Sequence, residues 1–268
     1  MSFKPDIIIS AGSSISAVNY LLAIENQAKS VVLMRPANLS LKKFDLVIIP
    51  EHDRPGGRGL LSSKQSHRPG GRGLLSSKKN VVVTAGALNL IDADYLKEKS
   101  VGLKHAGLLK GDLLPLSIGV LIGGNSKKFS IGREAIRELC GQIKKIAQEL
   151  NADILFSTSR RTPLEVVGAI KNELNNYPRC KLLVIANEKN HPDAVGGILG
   201  LSSIIISSPE SISMISEAVC AEKYVVVFKA SGLSKKHQRF LNNYQLKEYI
   251  YQKEISGRSG RCICPPAA

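Results

Sequence analysis

Short apolar runs alternate with amphipathic segments along most of the chain. Nine runs rich in β-branched residues predict strands, and most are apolar throughout, as expected for strands buried on both faces of a sheet. The runs are 6–10, 30–34, 45–49, 80–84, 117–122, 153–157, 181–186, 203–207 and 224–229. The pattern therefore indicates a protein with many short, buried strands.

The segments between these runs predict helices. In 130–150, apolar residues recur at helical intervals of three and four, and 13–27 predicts a second helix. Strands that alternate with helices of this length form βαβ units around a parallel sheet. We therefore expect an α/β fold.

The chain divides unevenly. The five runs from residue 117 onward suffice for a doubly wound domain, whereas the first four make a short set with one convincing helix. Residues 102–115 contain three glycines and a proline, which indicates a linker. We predict a partial amino-terminal α/β lobe over 1–112, a Rossmann-like lobe over 113–255, and a disordered tail over 256–268.

A direct repeat interrupts the first lobe. The sequence RPGGRGLLSSK occurs at 54–64 and again at 68–78. Two copies are too few for a solenoid. The glycine-rich, basic composition predicts that 54–78 is an inserted flexible loop outside the sheet. A basic loop that docks phosphates is the functional alternative.

The net charge of +15 raises the question of a polyanionic partner. Seven basic and no acidic residues lie in 54–79, and aromatic residues make up only 5% of the chain, without tryptophan. Nucleic-acid binders usually combine basic patches with aromatic residues or a reading motif, so no specific nucleic-acid partner is expected. Weak contact with an anionic membrane surface accounts equally well for the charge.

Other features favour a cytoplasmic protein, peripheral to the inner membrane at most. The apolar runs are too short to cross a bilayer, and no signal peptide is recognisable. The five cysteines include no CxxC pair, and a metal site at Cys262 and Cys264 is disfavoured. We expect neither a metal nor a cofactor.

The first candidate for chemistry follows the strand at 117–122. Here the chain makes a turn through Gly123 and Gly124 and continues with Asn125 and Ser126. Glycines let a backbone approach a diphosphate, and free N–H groups in such a turn can donate to it. A tight turn with no ligand is the alternative.

The second candidate follows the strand at 153–157. Thr162 with Glu165 predicts a capping box, with a proline between them, so a helix should begin here. Ser159, Arg160 and Arg161 stand beside its amino terminus, which attracts anions. The alternative is a capped helix with solvated arginines.

The third candidate follows the strand at 203–207. Ser211 or Ser213 can cap a helix, and Glu217 then lies on the same face as Ser213, one turn along. A carboxylate in that position can accept hydrogen bonds from both hydroxyls of a ribose. An ordinary exposed glutamate is the alternative reading.

The three candidate segments each follow a predicted strand, and this shared position supports their assignment to one ligand site. The carboxyl ends of parallel strands meet at one edge of a sheet, which is where open α/β sheets bind ligands. His52, between Glu51 and Asp53 after the third strand, is a tentative general base.

Five ordered motifs between about Pro5 and Ala230 closely resemble the mitochondrial-fission-like family of proposed glycosyltransferases, whose bacterial members are often labelled predicted nucleoside-diphosphate-sugar epimerases. The motifs are FDLVIIPEHD, NVVVTAGALN, VLIGGNSKKF, TSRRTP and SISMISEA. The resemblance implies a glycosyltransferase-B-like fold, with Rossmann-like parallel sheets in two lobes. It also implies that the first lobe is truncated, because family members have further elements before the position of Pro5.

The resemblance implies roles for the same residues. Gly123 to Ser126 would face the diphosphate of a nucleotide sugar, Arg160 and Arg161 would be the paired arginines, and Glu217 would bind the ribose. Glu210 stands where an aspartate is usual. The implied function is transfer of a sugar from a nucleotide donor to a cell-envelope acceptor. The alternatives are a nucleoside-diphosphate-sugar epimerase and a non-catalytic remnant that binds nucleotide sugars.

Overall fold

A computed structural model describes residues 4–53, 74–75, 79–126 and 129–255 of the chain. The chain forms two compact units that divide between Leu88 and Asn89. Each unit is built on its own sheet.

The first unit contains a five-stranded sheet in the order β1-β2-β3-β5-β4. The first four strands in that order are mutually parallel, and β4 pairs with β5 in the antiparallel sense. One-turn 3-10 helices cover Leu41–Lys43 and Glu51–Asp53. The elements are β1 (Ile7–Ala11), α1 (Ser16–Asn26), β2 (Lys29–Leu33), β3 (Leu46–Pro50), β4 (Leu74–Leu75) and β5 (Val81–Thr84).

The second unit contains a six-stranded sheet with helices on both faces. Its elements are α2 (Ala93–His105), β6 (Ser117–Ile122), α3 (Arg133–Glu149), β7 (Asp153–Thr158), α4 (Leu164–Leu174), β8 (Cys180–Val184), α5 (Ala194–Leu201), β9 (Ile204–Ser207), α6 (Ile212–Cys220), β10 (Tyr224–Phe228), α7 (Lys235–Leu246) and β11 (Tyr251–Lys253).

The strand order of this second sheet places a switch point at β6. The order is β11-β10-β9-β6-β7-β8, and every pair is parallel. The chain builds outward from β6 through β7 and β8, then returns to the other side of β6 to form β9, β10 and β11. Such a reversal opens a crevice at the carboxyl ends of the central strands.

Two separate apolar cores cover the two faces of the second sheet. Ile118, Val120 and Ile122 of β6 pack with α3 and α4, whereas Leu121 packs on the other face with α5, α6 and α7. In α3, the residues predicted to face the core are buried: Ile136, Leu139, Cys140, Ile143, Ile146 and Ala147.

Helix α2 belongs to the second unit. The boundary between the two units therefore lies between Leu88 and Asn89 and not at the predicted 112/113. Leu103 of α2 is buried in the core formed with α5. Glycines of α5 let the two helices pack closely. A Cβ added at Gly196 would lie 2.7 Å from the side chain of Lys99, and one added at Gly200 would overlap Ser100. The prediction of a linker over 102–115 is therefore wrong for 102–105, which end α2.

All nine predicted strands are present, each within two residues of its predicted bounds, whereas β4 and β11 were not predicted. Strand β4 lies in the second copy of the repeat and pairs with Val82 and Val83 of β5. The prediction that all of 54–78 lies outside the sheet is therefore wrong at Leu74–Leu75. The rest of the repeat, the tail at 256–268, Cys262 and Cys264 lie outside the described residues.

Candidate functional site

Three loops meet at the carboxyl edge of the second sheet, after the neighbouring strands β9, β6 and β7. Gly123 joins them. Its N–H donates to the hydroxyl of Ser208 at 2.8 Å, and its carbonyl accepts from the hydroxyl of Thr162 at 2.6 Å. The convergence of these loops is the arrangement that the sequence predicts.

The glycines of the loop after β6 are needed for close packing. A Cβ on Gly123 would overlap the carboxylate of Glu210, and one on Gly124 would overlap the backbone of Arg161. The N–H of Gly123 is already paired with Ser208 in this structure, and the predicted contact of Gly123 with a diphosphate remains a prediction.

Asn125 and Ser126, which follow in this loop, are exposed. The side-chain oxygen of Asn125 accepts from the N–H of Ile131 at 3.3 Å, and the hydroxyl oxygen of Ser126 accepts from the N–H of Phe129 at 3.1 Å. These bonds tie Asn125 and Ser126 to the residues that precede α3. Among the residues that the structure describes, the amide nitrogen of Asn125 makes no hydrogen bond, and its predicted ligand contact remains a prediction.

The predicted capping box at Thr162 and Glu165 is wrong. Helix α4 begins at Leu164, and its N-cap residue, Pro163, makes no side-chain capping bond. The hydroxyl of Thr162 instead accepts from the N–H of Ser159 at 3.0 Å while it donates to Gly123. The threonine therefore fastens two loops together, because the Gly123 carbonyl lies within its reach.

Arg160 and Arg161 lie at the outer surface of the site. Both are exposed, and among the described residues neither guanidinium forms an ion pair. The backbone N–H of Arg161 donates to the hydroxyl oxygen of Ser159 at 3.1 Å, which fixes the chain between the arginines. Two exposed guanidinium groups on a fixed loop are suited to bind phosphate oxygens.

The third loop leads into α6. Ser211 is the N-cap residue, as predicted, but its side chain makes no capping bond. Ser213 is exposed and Glu217 is half-buried one turn further along the helix. Burial raises the pKa of the Glu217 carboxyl. A carboxylate held in a partly dry environment forms stronger hydrogen bonds than one in water, as a ribose-binding group requires.

The structure adds three residues that the sequence analysis did not assign to the site. Ser208 and Glu210 lie buried in the loop after β9, where their side chains hydrogen-bond at 3.0 Å. His237, near the start of α7, is half-buried against Glu210, whose backbone carbonyl accepts a hydrogen bond from the ring. A serine-rich turn directly after a buried strand is the sequence signal that points to the first two. Nothing in the sequence points to His237.

His52 belongs to the first unit and is buried, with 5% of its surface exposed. Its Nε2 atom lies 3.9 Å from a carboxylate oxygen of Asp53. A buried ring does not present its nitrogens to a substrate in this conformation, and its role as a general base remains a prediction.

Within the described ranges, histidine, cysteine and acidic side chains do not gather in groups of three that could hold a metal ion. Over the same residues, the helices are too short or too polar to traverse a bilayer.

Comparison with known proteins places the chain in a family. Residues 2–259 match the profile of the family described as "Mitochondrial fission ELM1". The chain is 30% identical over 251 residues to the uncharacterised protein RP120 of Rickettsia prowazekii, and 26% identical over 235 residues to the mitochondrial fission protein ELM1 of Arabidopsis thaliana. These alignments cover 88% and 84% of the chain, but 68% and 52% of the two relatives.

Two solved structures share the fold. The UDP-GlcNAc 2-epimerase of Methanocaldococcus jannaschii superposes with a TM-score of 0.56 at 10% identity, covering 94% of this chain and 67% of that one. A proposed UDP-N-acetylglucosamine 2-epimerase from Listeria monocytogenes superposes with a TM-score of 0.51 at 11% identity, covering 88% of this chain and 60% of that one. The glycosyltransferase-B-like fold, with parallel sheets in two units, is thereby confirmed.

Proposed function

Because the chain belongs to the mitochondrial fission ELM1 family, we propose that its second unit binds a nucleotide sugar at the carboxyl ends of β9, β6 and β7. The observation that carries this proposal is the junction of three loops at Gly123. It lies at the switch point of a parallel sheet, where open α/β folds bind their ligands.

Each part of the ligand has a matching group in this proposal. Arg160 and Arg161 bind the diphosphate, together with the N–H groups at the start of α6. Glu217 accepts the hydroxyls of the ribose. Gly124, Asn125 and Ser126 border the diphosphate, whereas Gly123 acts indirectly by holding the neighbouring loops together.

We further propose that the whole protein transfers the sugar to a cell-envelope acceptor. Positioning and neutralisation of the departing diphosphate supply most of the catalytic effect in such a mechanism. The paired arginines provide that neutralisation, because both are exposed and, among the described residues, neither guanidinium forms an ion pair. A cytoplasmic location at the inner membrane surface suits such an acceptor, and the net charge of +15 favours contact with anionic lipids.

Titration calorimetry with UDP and with uridine tests the binding site. Arg161→Ala should weaken UDP binding by roughly 1–3 kcal/mol and leave uridine unaffected, because its partner is phosphate. Glu217→Gln should weaken both ligands by a similar amount. The matched controls are Arg179→Ala, at the opposite edge of the sheet, and Glu222→Gln, beyond the end of α6. Equal losses in the site and control variants would contradict the assignment.

A product assay separates the three functions that this site could serve. Incubation of UDP-GlcNAc with the protein and a membrane-lipid extract should release UDP and label the extract if the protein is a glycosyltransferase. Inversion at a sugar carbon without release of UDP would identify an epimerase instead. Binding of UDP-GlcNAc with neither product would identify a binding protein without catalytic activity.

A further inference from the structure

A buried carboxyl lies directly beneath the candidate diphosphate site. Glu210 follows β9 and precedes α6, and only 6% of its surface is exposed. Its Oε1 atom accepts from the hydroxyl of Ser208 at 3.0 Å, and that same hydroxyl accepts the N–H of Gly123. Its Oε2 atom is buried with no hydrogen-bond partner among the residues that the structure describes. Buried carboxylate oxygens are normally paired, so this one requires an explanation.

The carboxyl lies close to Gly123 and within electrostatic range of Arg161. It touches the position that a Cβ of Gly123 would occupy, and the adjacent Gly124 packs on the backbone of Arg161. It also stands two residues before the first residue of α6, where backbone N–H groups attract negative charge. A phosphate bound over this loop would therefore lie near a second acidic group in a poorly solvated environment.

The surroundings of Glu210 disfavour its ionised form. Burial raises the pKa of its carboxyl. The backbone N–H of Glu210 itself, the hydroxyl of Ser208, the backbone N–H of Gly124 and the positive charge of Arg161 favour the ionised form and oppose this effect. Among the described residues, the titratable groups that face it are Arg161, from the loop after β7, and His237, from α7. Burial lowers the pKa of His237, so its ring adds little positive charge near neutral pH.

We propose that Glu210 couples anion binding to proton uptake: its side chain becomes neutral when a diphosphate occupies the loop after β6. This inference rests on the proposed function, because it concerns the same site. Two negative charges in a region of low dielectric constant destabilise each other, so binding one anion favours protonation of the other. Diphosphate affinity should consequently rise as the pH falls, whereas an arginine site alone would be insensitive to pH in this range.

Calorimetry with UDP-GlcNAc between about pH 5.5 and about pH 8 tests the coupling, because the diphosphate diester itself does not titrate there. The wild-type protein should lose affinity with rising pH, by up to about tenfold per pH unit for one coupled proton. Titrations in two buffers of different ionisation enthalpy should show uptake of up to about one proton. Glu210→Gln should bind as tightly at neutral pH as the wild type does at acidic pH, with no proton uptake.

Ser208→Ala provides a second variant that retains the carboxyl. Loss of the hydrogen bond to Oε1 should make the ionised form less favourable, so the pH profile of affinity should shift to higher pH and keep its shape. Identical pH profiles for the wild type and Glu210→Gln would overturn the coupling and would implicate His237. Absence of binding by all three proteins at every pH would instead overturn the proposed function.

Discussion

The two sheets of this protein are built from similar apolar strands, but the second sheet buries its strands more completely than the first. All six residues of both β6 and β7 are buried in the second sheet. In the first sheet, β2 and β5 alternate between buried and less buried residues, and β1 leaves Ile7 and Ile9 at 55% and 65% exposure. An apolar run therefore predicts a strand, but it does not establish that both faces of that strand are covered.

The two units also differ in how their parts are joined. In the first unit, the buried Asn19 of α1 donates to the carbonyls of Ile8 and Val31 and so fastens the helix to two strands. Its apolar core contains few residues. The second unit relies on extensive apolar cores on both faces. Its buried polar residues include groups at both edges of the sheet: Ser117 and Asp153 begin β6 and β7, whereas Thr162, Ser208 and Glu210 lie where the three loops meet.

The largest expected effect comes from truncating the same residue type in the two sheets. Ile118→Ala in β6 should cost about 2–5 kcal/mol of unfolding free energy, because it leaves a cavity in a closely packed core. Ile9→Ala in β1 should cost no more than about 0.5 kcal/mol, because its side chain is exposed. Urea unfolding followed by circular dichroism measures both. Similar losses would show that β1 is covered in solution.

The second effect tests the packing of the loops at the site. Gly124→Ala should cost about 2–3 kcal/mol, because the added Cβ overlaps backbone atoms of Arg161 that cannot move aside. The control is Gly141→Ala on the exposed side of α3, where the Cβ meets open space and helix propensity should stabilise the protein by about 0.5–1 kcal/mol. Thermal unfolding compares them, and a tolerated Gly124→Ala would mean that the loops are loosely packed.

The third effect concerns Asn19, which joins α1 to β1 and β2 in the first unit. Asn19→Ala should cost about 1–2 kcal/mol, because two strand carbonyls lose their side-chain donor inside the protein. Asn26→Ala, at the end of the same helix, removes only an exposed bond to Leu22 and should be nearly neutral. Hydrogen exchange of peptides from β1 and β2 reports the loss locally. Unchanged exchange in both variants would indicate that apolar contacts alone hold α1.

The smallest effect is a pH dependence in the second unit. Burial raises the pKa of Glu217 in the folded protein above its ordinary value of 4.5. Protonation of Glu217 therefore stabilises the folded state fully below about pH 4.5, and this stabilisation is lost as the pH rises through the folded-state pKa. Glu217→Gln should therefore raise the melting temperature slightly at pH 7, by no more than about 2 °C, and leave it unchanged at pH 4. Glu222→Gln, at an exposed position, should change neither value. A lower melting temperature for Glu217→Gln at pH 7 would contradict the assigned burial.

Local patterns in the sequence determined the elements of this fold and the place where its loops meet. All nine predicted strands follow from runs of β-branched, apolar residues, and the buried face of α3 follows from the helical spacing of its apolar residues. The meeting of three loops followed because each came directly after a strand of a parallel sheet.

Only the tertiary structure decided which groups pair once these loops are together. Thr162 bonds to Gly123 rather than capping α4, and Glu210 is buried beneath the same glycine. Helix α2 joins the second unit because the glycines of α5 leave room for it. Hydrogen-bond partners and close contacts depend on distances between residues far apart in the chain, and neither spacing nor composition records those distances.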